Sequence, residues 1–232
     1  MAVKKFWNWT EEETGARTLY IDGEIASESW FDDDVTPALF RAELEKGSGD
    51  VVVYINSPGG DCIAASQIYT MMREYAGNVQ VKIDGLAASA ASVIAMAGDV
   101  VEMAPTALMM IHNPATLAWG DHNDMQKAID LLNEVKESII NAYENKTGLS
   151  RSKISRLMEE ETWMNARKAR DLGFVDRILG DEGSAAEAAA FSAHSAENAL
   201  RRKLVAKYGG EKKKPTGRSV NDLLAQLNER KH

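Results

Sequence analysis

The run Val51-Val52-Val53-Tyr54-Ile55-Asn56-Ser57-Pro58-Gly59-Gly60 decides how the rest of the chain is read. Its first five residues are apolar or aromatic and rich in β-branching, which suits a strand covered on both faces of a parallel sheet. Ser57-Pro58-Gly59-Gly60 breaks the run. From Asp61 onward, Ala64, Ile68, Met71, Met72 and Tyr75 fall on one helical stripe. Strand, glycine turn and helix in immediate succession form the repeating unit of an α/β domain.

The pattern recurs on both sides. Upstream, Arg17 to Ile25 alternates as a strand ending near Gly23, and Thr36-Pro37 opens a helix to about Lys46. Downstream, Val79 to Asp84 reads as a strand, Gly85 as a turn, and Ala87 to Ala97 as a small-residue helix stopped by Gly98. Val100–Met103 and Ala107–Ile111 are further short strands. A long helix from Asp121 to about Lys146 carries Met125, Ile129, Leu132, Val135 and Ile139 at spacings of three and four, and Gly148 closes it. Ser150 caps a short helix, Asn165 to Leu172 makes another, and Phe174 to Leu179 is a last strand. The sequence therefore divides into an N-terminal segment (1–16), one α/β domain (17–180) and a C-terminal extension (181–232) read as partly helical and partly flexible.

Composition narrows the function classes. The 232 residues carry a net charge of −8, yet 181–232 holds ten Lys/Arg against seven Asp/Glu, so residues 1–180 carry −11. An acidic body does not suit the phosphate backbone of a nucleic acid. No apolar stretch reaches the ~18 residues a membrane helix needs. The single cysteine, Cys62, excludes an internal disulfide framework and a cysteine zinc cluster, and a cytoplasmic setting is expected. No cluster has metal-ligand spacing, and Gly59-Gly60 lacks the Lys-Ser/Thr of a phosphate loop, so neither metal nor cofactor is expected.

Two glycine-bearing turns, Ser57–Gly60 and Gly85–Ala91, end neighbouring strands and lead into helices. Backbone N–H groups at helix starts are free and carry positive potential. A facing pair of them forms an oxyanion hole. Ser89 in the second turn has small neighbours, Ala87, Ala88, Ala90 and Ala91, that leave room for a substrate backbone. It is either a nucleophile or a simple N-cap. Ser92 falls on a packed run and Ser66 lies mid-helix, so both read as structural. Of four histidines, His112 ends an apolar strand at the mouth of the sheet and is the candidate base. His122 opens the long helix, and His194 and His232 lie in the extension. Glu159, Glu160 and Glu161 are candidates for the group that orients the imidazole.

Taken in order, Tyr54–Gly60, Gly85–Ser89, Met110-Ile111-His112-Asn113-Pro114 and Ala169 to Ile178 resemble the landmarks of the proteolytic subunit of the Clp protease. Lys4-Lys5-Phe6-Trp7-Asn8-Trp9, Ala88 to Gly98 and Glu161-Thr162-Trp163 are similar to the Clp-related head maturation proteases of tailed bacteriophages. The resemblance spans about residues 17–180. It implies a spiral of ββα units shared with crotonases, and rings, heptameric in the family and often stacked, around an enclosed chamber. It further implies Ser89 as nucleophile, His112 as base, N–H groups of Gly60 and Ala90 as oxyanion donors, and Glu161 where the family has an aspartate. The segment Asn113 to Asp121 is shorter than the family's ring-to-ring handle, and the segment before Arg17 is short for loops that meet an unfoldase.

The leading expectation is a serine endopeptidase cleaving capsid or scaffold segments during phage head maturation. Three other readings stay open: a general Clp-type subunit working with an ATPase unfoldase, a crotonase-type acyl-CoA enzyme, and a non-catalytic ring-forming assembly factor.

Overall fold

The computed structural model describes residues 5–11, 17–26 and 37–181. The extension beyond Asp181, with its expected helical and flexible parts, lies outside the described residues.

The sheet has eight strands among the described residues. Strand β2 (Arg17–Asp22), β3 (Val51–Ser57), β4 (Val79–Ala88), β5 (Val100–Met103) and β8 (Arg177–Ile178) lie side by side and parallel. Val51, Val53, Ile55, Val79, Val81 and Ile83 are buried on one face of the sheet, while the alternate residues of β3, Val52 and Tyr54, are only partly covered, so the strand expected to be covered on both faces is fully buried on one. Strand β1 (Trp7–Glu11) pairs antiparallel with β2 and closes that edge of the sheet. Its docking is local chemistry. Arg17 is buried, donates to the carbonyls of Glu43 and Leu44 at 2.7 and 2.8 Å, and lies 4.4 Å over the Trp9 ring. Residues 7–11, assigned from the sequence to an N-terminal segment (1–16), pair with β2 as part of the same sheet.

Among the described residues six helices connect the strands: α1 (Pro37–Leu44), α2 (Cys62–Glu74), α3 (Ala90–Ala95), α4 (His122–Thr147), α5 (Arg151–Glu159) and α6 (Ala166–Asp171). Asp61 caps α2 by accepting from the amides of Ile63 and Ala64. Asp121 and Asp124 form a capping box on α4, and left-handed Gly148 ends it. This is the mixed α/β architecture expected from the sequence.

Three local expectations are corrected. Gly85 is not a turn between strand and helix: β4 runs through it to Ala88, and α3 starts at Ala90, not Ala87. The glycine serves a bulge, because a β-carbon there would meet the Asn56 side chain at 2.5 Å. Phe174–Leu179 contributes only the two-residue β8. On α4, Ile139 is buried, but Ile129 is exposed and Met125, Leu132 and Val135 are only partly covered. The apolar stripe therefore continues past the part of α4 that the described residues cover.

The remaining strands build the site. Strand β6 (Leu108–Ile111) pairs in parallel with the far end of β4, over Leu86–Ala88. Strand β7 (Thr162–Asn165), not anticipated from the sequence, pairs antiparallel with β6. The part of β4 beyond the bulge therefore leaves β5 for β6, which brings its C-terminal end beside the residues that follow Ile111.

Candidate active site

Ser89 sits at the junction of β4 and α3 with φ 54° and ψ −126°, a conformation that residues with a β-carbon rarely adopt. Such backbone costs about 1–3 kcal/mol and persists only where neighbours enforce it. Here they do. The Ser89 amide donates to the Met110 carbonyl at 2.9 Å, and its carbonyl accepts from the Ser92 amide at 3.0 Å. The Ser89 hydroxyl makes no capping bond to α3. It lies 2.7 Å from Nε2 of His112 instead. That distance separates the two sequence readings of Ser89: its oxygen serves the imidazole, not the helix.

His112 follows β6 directly, two residues after the carbonyl that anchors Ser89. Both side chains are half-buried, shielded from bulk water yet reachable. With Nδ1 protonated, Nε2 accepts the serine hydroxyl hydrogen, which is the geometry a general base requires.

The Ser57–Gly60 turn packs against this junction. Ser57 is fully buried; its hydroxyl donates to the Gly23 carbonyl at 2.6 Å and accepts from the Gly59 amide at 3.1 Å. A β-carbon on Gly59 (φ 100°) would lie 2.7 Å from Ser89 Cβ and 2.9 Å from the Ala90 nitrogen. Gly60 (φ 145°) bridges to Ile25: the Ile25 N–H donates to the Gly59 carbonyl, and the Asp61 N–H donates to the Ile25 carbonyl. Among the described residues, neither the Gly60 nor the Ala90 N–H donates to a protein acceptor. The structure thus brings Ser89, Ala90, His112 and the Gly59-Gly60 turn together.

Glu161 is close by sequence register but differently engaged. The β6–β7 ladder ends at Ile111 opposite Thr162, so Glu161 and His112 each lie one residue beyond its last pair. Its backbone is left-handed (φ 47°), and its carboxylate accepts from the Trp163 indole N–H at 3.2 Å. Trp163, on β7, was missed in the sequence. The spacing of two residues is short enough for the indole to reach back to the Glu161 carboxylate across the left-handed turn. Glu159 instead takes Lys136 and Ser155, far from the imidazole's own contact.

The other candidates fall where the sequence put them. Ser66 donates to the Cys62 carbonyl within α2, and Ser92 is fully buried. His122 is exposed at the start of α4, while His194 and His232 lie outside the described residues. Among the described residues, no group of three or more His, Cys, Asp or Glu could hold a metal, and no helix is long and apolar enough to cross a membrane.

A Ser–His pair beside two N–H groups without an acceptor among the described residues, at the C-terminal ends of parallel strands, is an arrangement suited to acyl transfer. Comparison with known proteins makes the class specific. A family model described as Clp protease matches residues 7–182. ATP-dependent Clp protease proteolytic subunits of Sorghum bicolor, Triticum aestivum and Hordeum vulgare are each 31% identical over 169 residues, covering 72% of this chain and 77% of the relative. The chain belongs to the Clp protease family and is a Clp-type proteolytic subunit.

Proposed function

We propose that this protein is a serine endopeptidase in which Ser89 is the nucleophile and His112 the general base. The observation that carries this reading is the 2.7 Å contact between His112 Nε2 and Ser89 Oγ at a backbone-strained junction. Ser89 Oγ attacks the peptide carbonyl as Nε2 takes its proton. The oxygen of the tetrahedral intermediate lies toward the Gly60 and Ala90 N–H groups. His112 then protonates the departing amine, and a water deacylates Ser89 by the same route in reverse. Glu161 orients Nδ1 after its carboxylate leaves Trp163. A Ser–His pair favours this chemistry over an acyl-CoA reaction of the crotonase type and over a non-catalytic assembly factor.

The substrate we infer is a capsid or scaffold segment cleaved during phage head maturation, in host cytoplasm or within a procapsid. Support comes from Lys5-Phe6-Trp7-Asn8-Trp9 and Glu161-Thr162-Trp163, which resemble that branch. The assembly is a homo-oligomeric ring, heptameric by family resemblance. Fully exposed Leu117 and Trp119, with Ile129 and Leu131 on the uncovered part of α4, form the apolar surface available to a second copy. A second reading, a subunit working with an ATPase unfoldase, is favoured by the names of the plant relatives.

Fluorophosphonate labelling tests the chemistry: the wild type should take one label and Ser89→Ala none. Label on Ser89→Ala protein would refute the nucleophile. Incubation with the capsid and scaffold proteins of the same genome, without ATP, tests the role. Cleavage there supports head maturation, whereas cleavage of unfolded proteins only with an ATPase supports the second reading.

A further inference from the structure

Two buried hydroxyls lie behind the candidate nucleophile. Ser92 Oγ is 2.5 Å from the Ser89 carbonyl oxygen and 2.8 Å from the Tyr143 hydroxyl. Ser92 and Tyr143 are both essentially inaccessible to solvent. A serine hydroxyl has one hydrogen, and a carbonyl can only accept. Ser92 therefore donates to Ser89, and Tyr143 must donate to Ser92. Burial pushes the Tyr143 phenol above its ordinary range, so it keeps the proton it donates.

Packing does not explain these oxygens. Ser92 sits among Ala90, Ala91, Val93, Ile94 and Ala95, where an alanine would fill the space with no polar group to satisfy. The Tyr143 ring already has its apolar partner in Phe174, edge-on at 5.5 Å between centroids, and a phenylalanine would make the same contact. The hydroxyls form a chain, Tyr143 to Ser92, that ends on one acceptor, the carbonyl of the residue with φ 54°. That carbonyl also accepts from the Ser92 amide, while the Ser89 amide is tied to Met110. Rotation of the Ser89 peptide toward relaxed geometry would break these bonds together.

We propose that Tyr143 and Ser92 are positioning residues, acting in series to hold the Ser89 main chain in the strained conformation that presents Oγ to His112. This rests on reading Ser89 as the nucleophile. It assigns a role to Ser92 beyond filling the core, and links the buried end of α4 to the catalytic junction.

The test uses the full chain and a fluorophosphonate probe, separating the saturating labelling rate from probe affinity, with thermal midpoints measured in parallel. Tyr143→Phe and Ser92→Ala should each lower the saturating rate about tenfold with affinity unchanged, since small misplacements of reacting groups cost rate. In the Ser92→Ala background, Tyr143→Phe should add no further loss, because the series is already cut. Single variants within about twofold of wild type, or a double variant slowed by the product of both factors, would overturn the proposal. If both single variants fail to fold, the pair is structural and the proposal falls. Wild-type protein that takes no label overturns the Ser89 reading and this one with it; label on the wild type but not on Ser89→Ala leaves the kinetics to decide the pair.

Discussion

The Glu161 carboxylate accepts a hydrogen bond from Trp163 Nε1 at 3.2 Å, while the β6–β7 ladder ends with Ile111 opposite Thr162, one residue before His112 and one after Glu161. The acid of the proposed triad is thus engaged by a side chain two residues on. A half-exposed hydrogen bond to a carboxylate contributes on the order of 0.7 kcal/mol, enough to bias such an equilibrium about threefold. Trp163→Phe removes the indole N–H and keeps an aromatic ring, so kcat/KM should rise by about that factor. Glu161→Gln should lower kcat/KM and abolish the response to Trp163→Phe. A slower Trp163→Phe enzyme would mean that the indole orients the acid instead of parking it.

The strain at Ser89 makes a prediction about stability. Ser89→Ala keeps a β-carbon at φ 54°, whereas Ser89→Gly removes it. Relief of about 1–3 kcal/mol of backbone strain exceeds the roughly 0.5–1 kcal/mol that glycine costs through unfolded-chain entropy. Ser89→Gly should therefore be the more stable of the two inactive variants by about 1 kcal/mol, read as a higher thermal midpoint. Equal midpoints would show that the junction is relaxed.

What the sequence disclosed depended on the range of the cause. Val51–Gly60 was legible because strand, turn and helix are all encoded within about twenty residues, and Asp61 caps the helix locally. Gly85 misled because its cause is non-local: glycine suggests a turn, but here it makes room for Asn56 on a neighbouring strand. Strand β7 is only four residues long and is held by pairing with β6, so Thr162-Trp163-Met164-Asn165 carried too little pattern of its own. Ser89 and His112 were each recognisable as candidates. Their 2.7 Å approach depends on β4 changing neighbours from β5 to β6, which no local pattern records.

Glycines near the site should separate into two kinds. Gly59→Ala puts a β-carbon 2.7 Å from both the Ala88 carbonyl oxygen and Ser89 Cβ, with φ at 100°. Because the obstacle is largely backbone, stability should fall by about 2–4 kcal/mol and the labelling rate by more than about tenfold. Gly148→Ala, at the end of α4, has φ 67° but open space around the new carbon. It should cost only about 1 kcal/mol and leave the labelling rate unchanged. Denaturant unfolding and labelling on the same samples compare the two. A normal labelling rate in folded Gly59→Ala protein would argue against the Ser57–Gly60 turn as part of the site.

Acid should act first on the anchor of β1. Burial alone would raise the Glu43 carboxyl, but hydrogen bonds from Lys5 and Trp7, with the Lys5 charge, outweigh it and hold the group below its ordinary 4.5. Trp7 Nε1 donates to Glu43 Oε2 at 2.7 Å, and Lys5 pairs with Oε1. A carboxyl depressed by folding stabilises the folded state above its unfolded value, and that contribution is lost as pH falls toward the folded value. Wild-type stability should therefore drop as pH falls below about 4.5. Glu43→Gln, which cannot ionise, should be less stable at neutral pH and show a flatter acid limb. Glu159 is also held low by Lys136, but it is fully exposed and screened, so its share of the limb should be small. Thermal midpoints against pH, followed by tryptophan fluorescence that includes Trp7, provide the measurement. Parallel curves for wild type and Glu43→Gln would show that this carboxylate does not secure the edge strand.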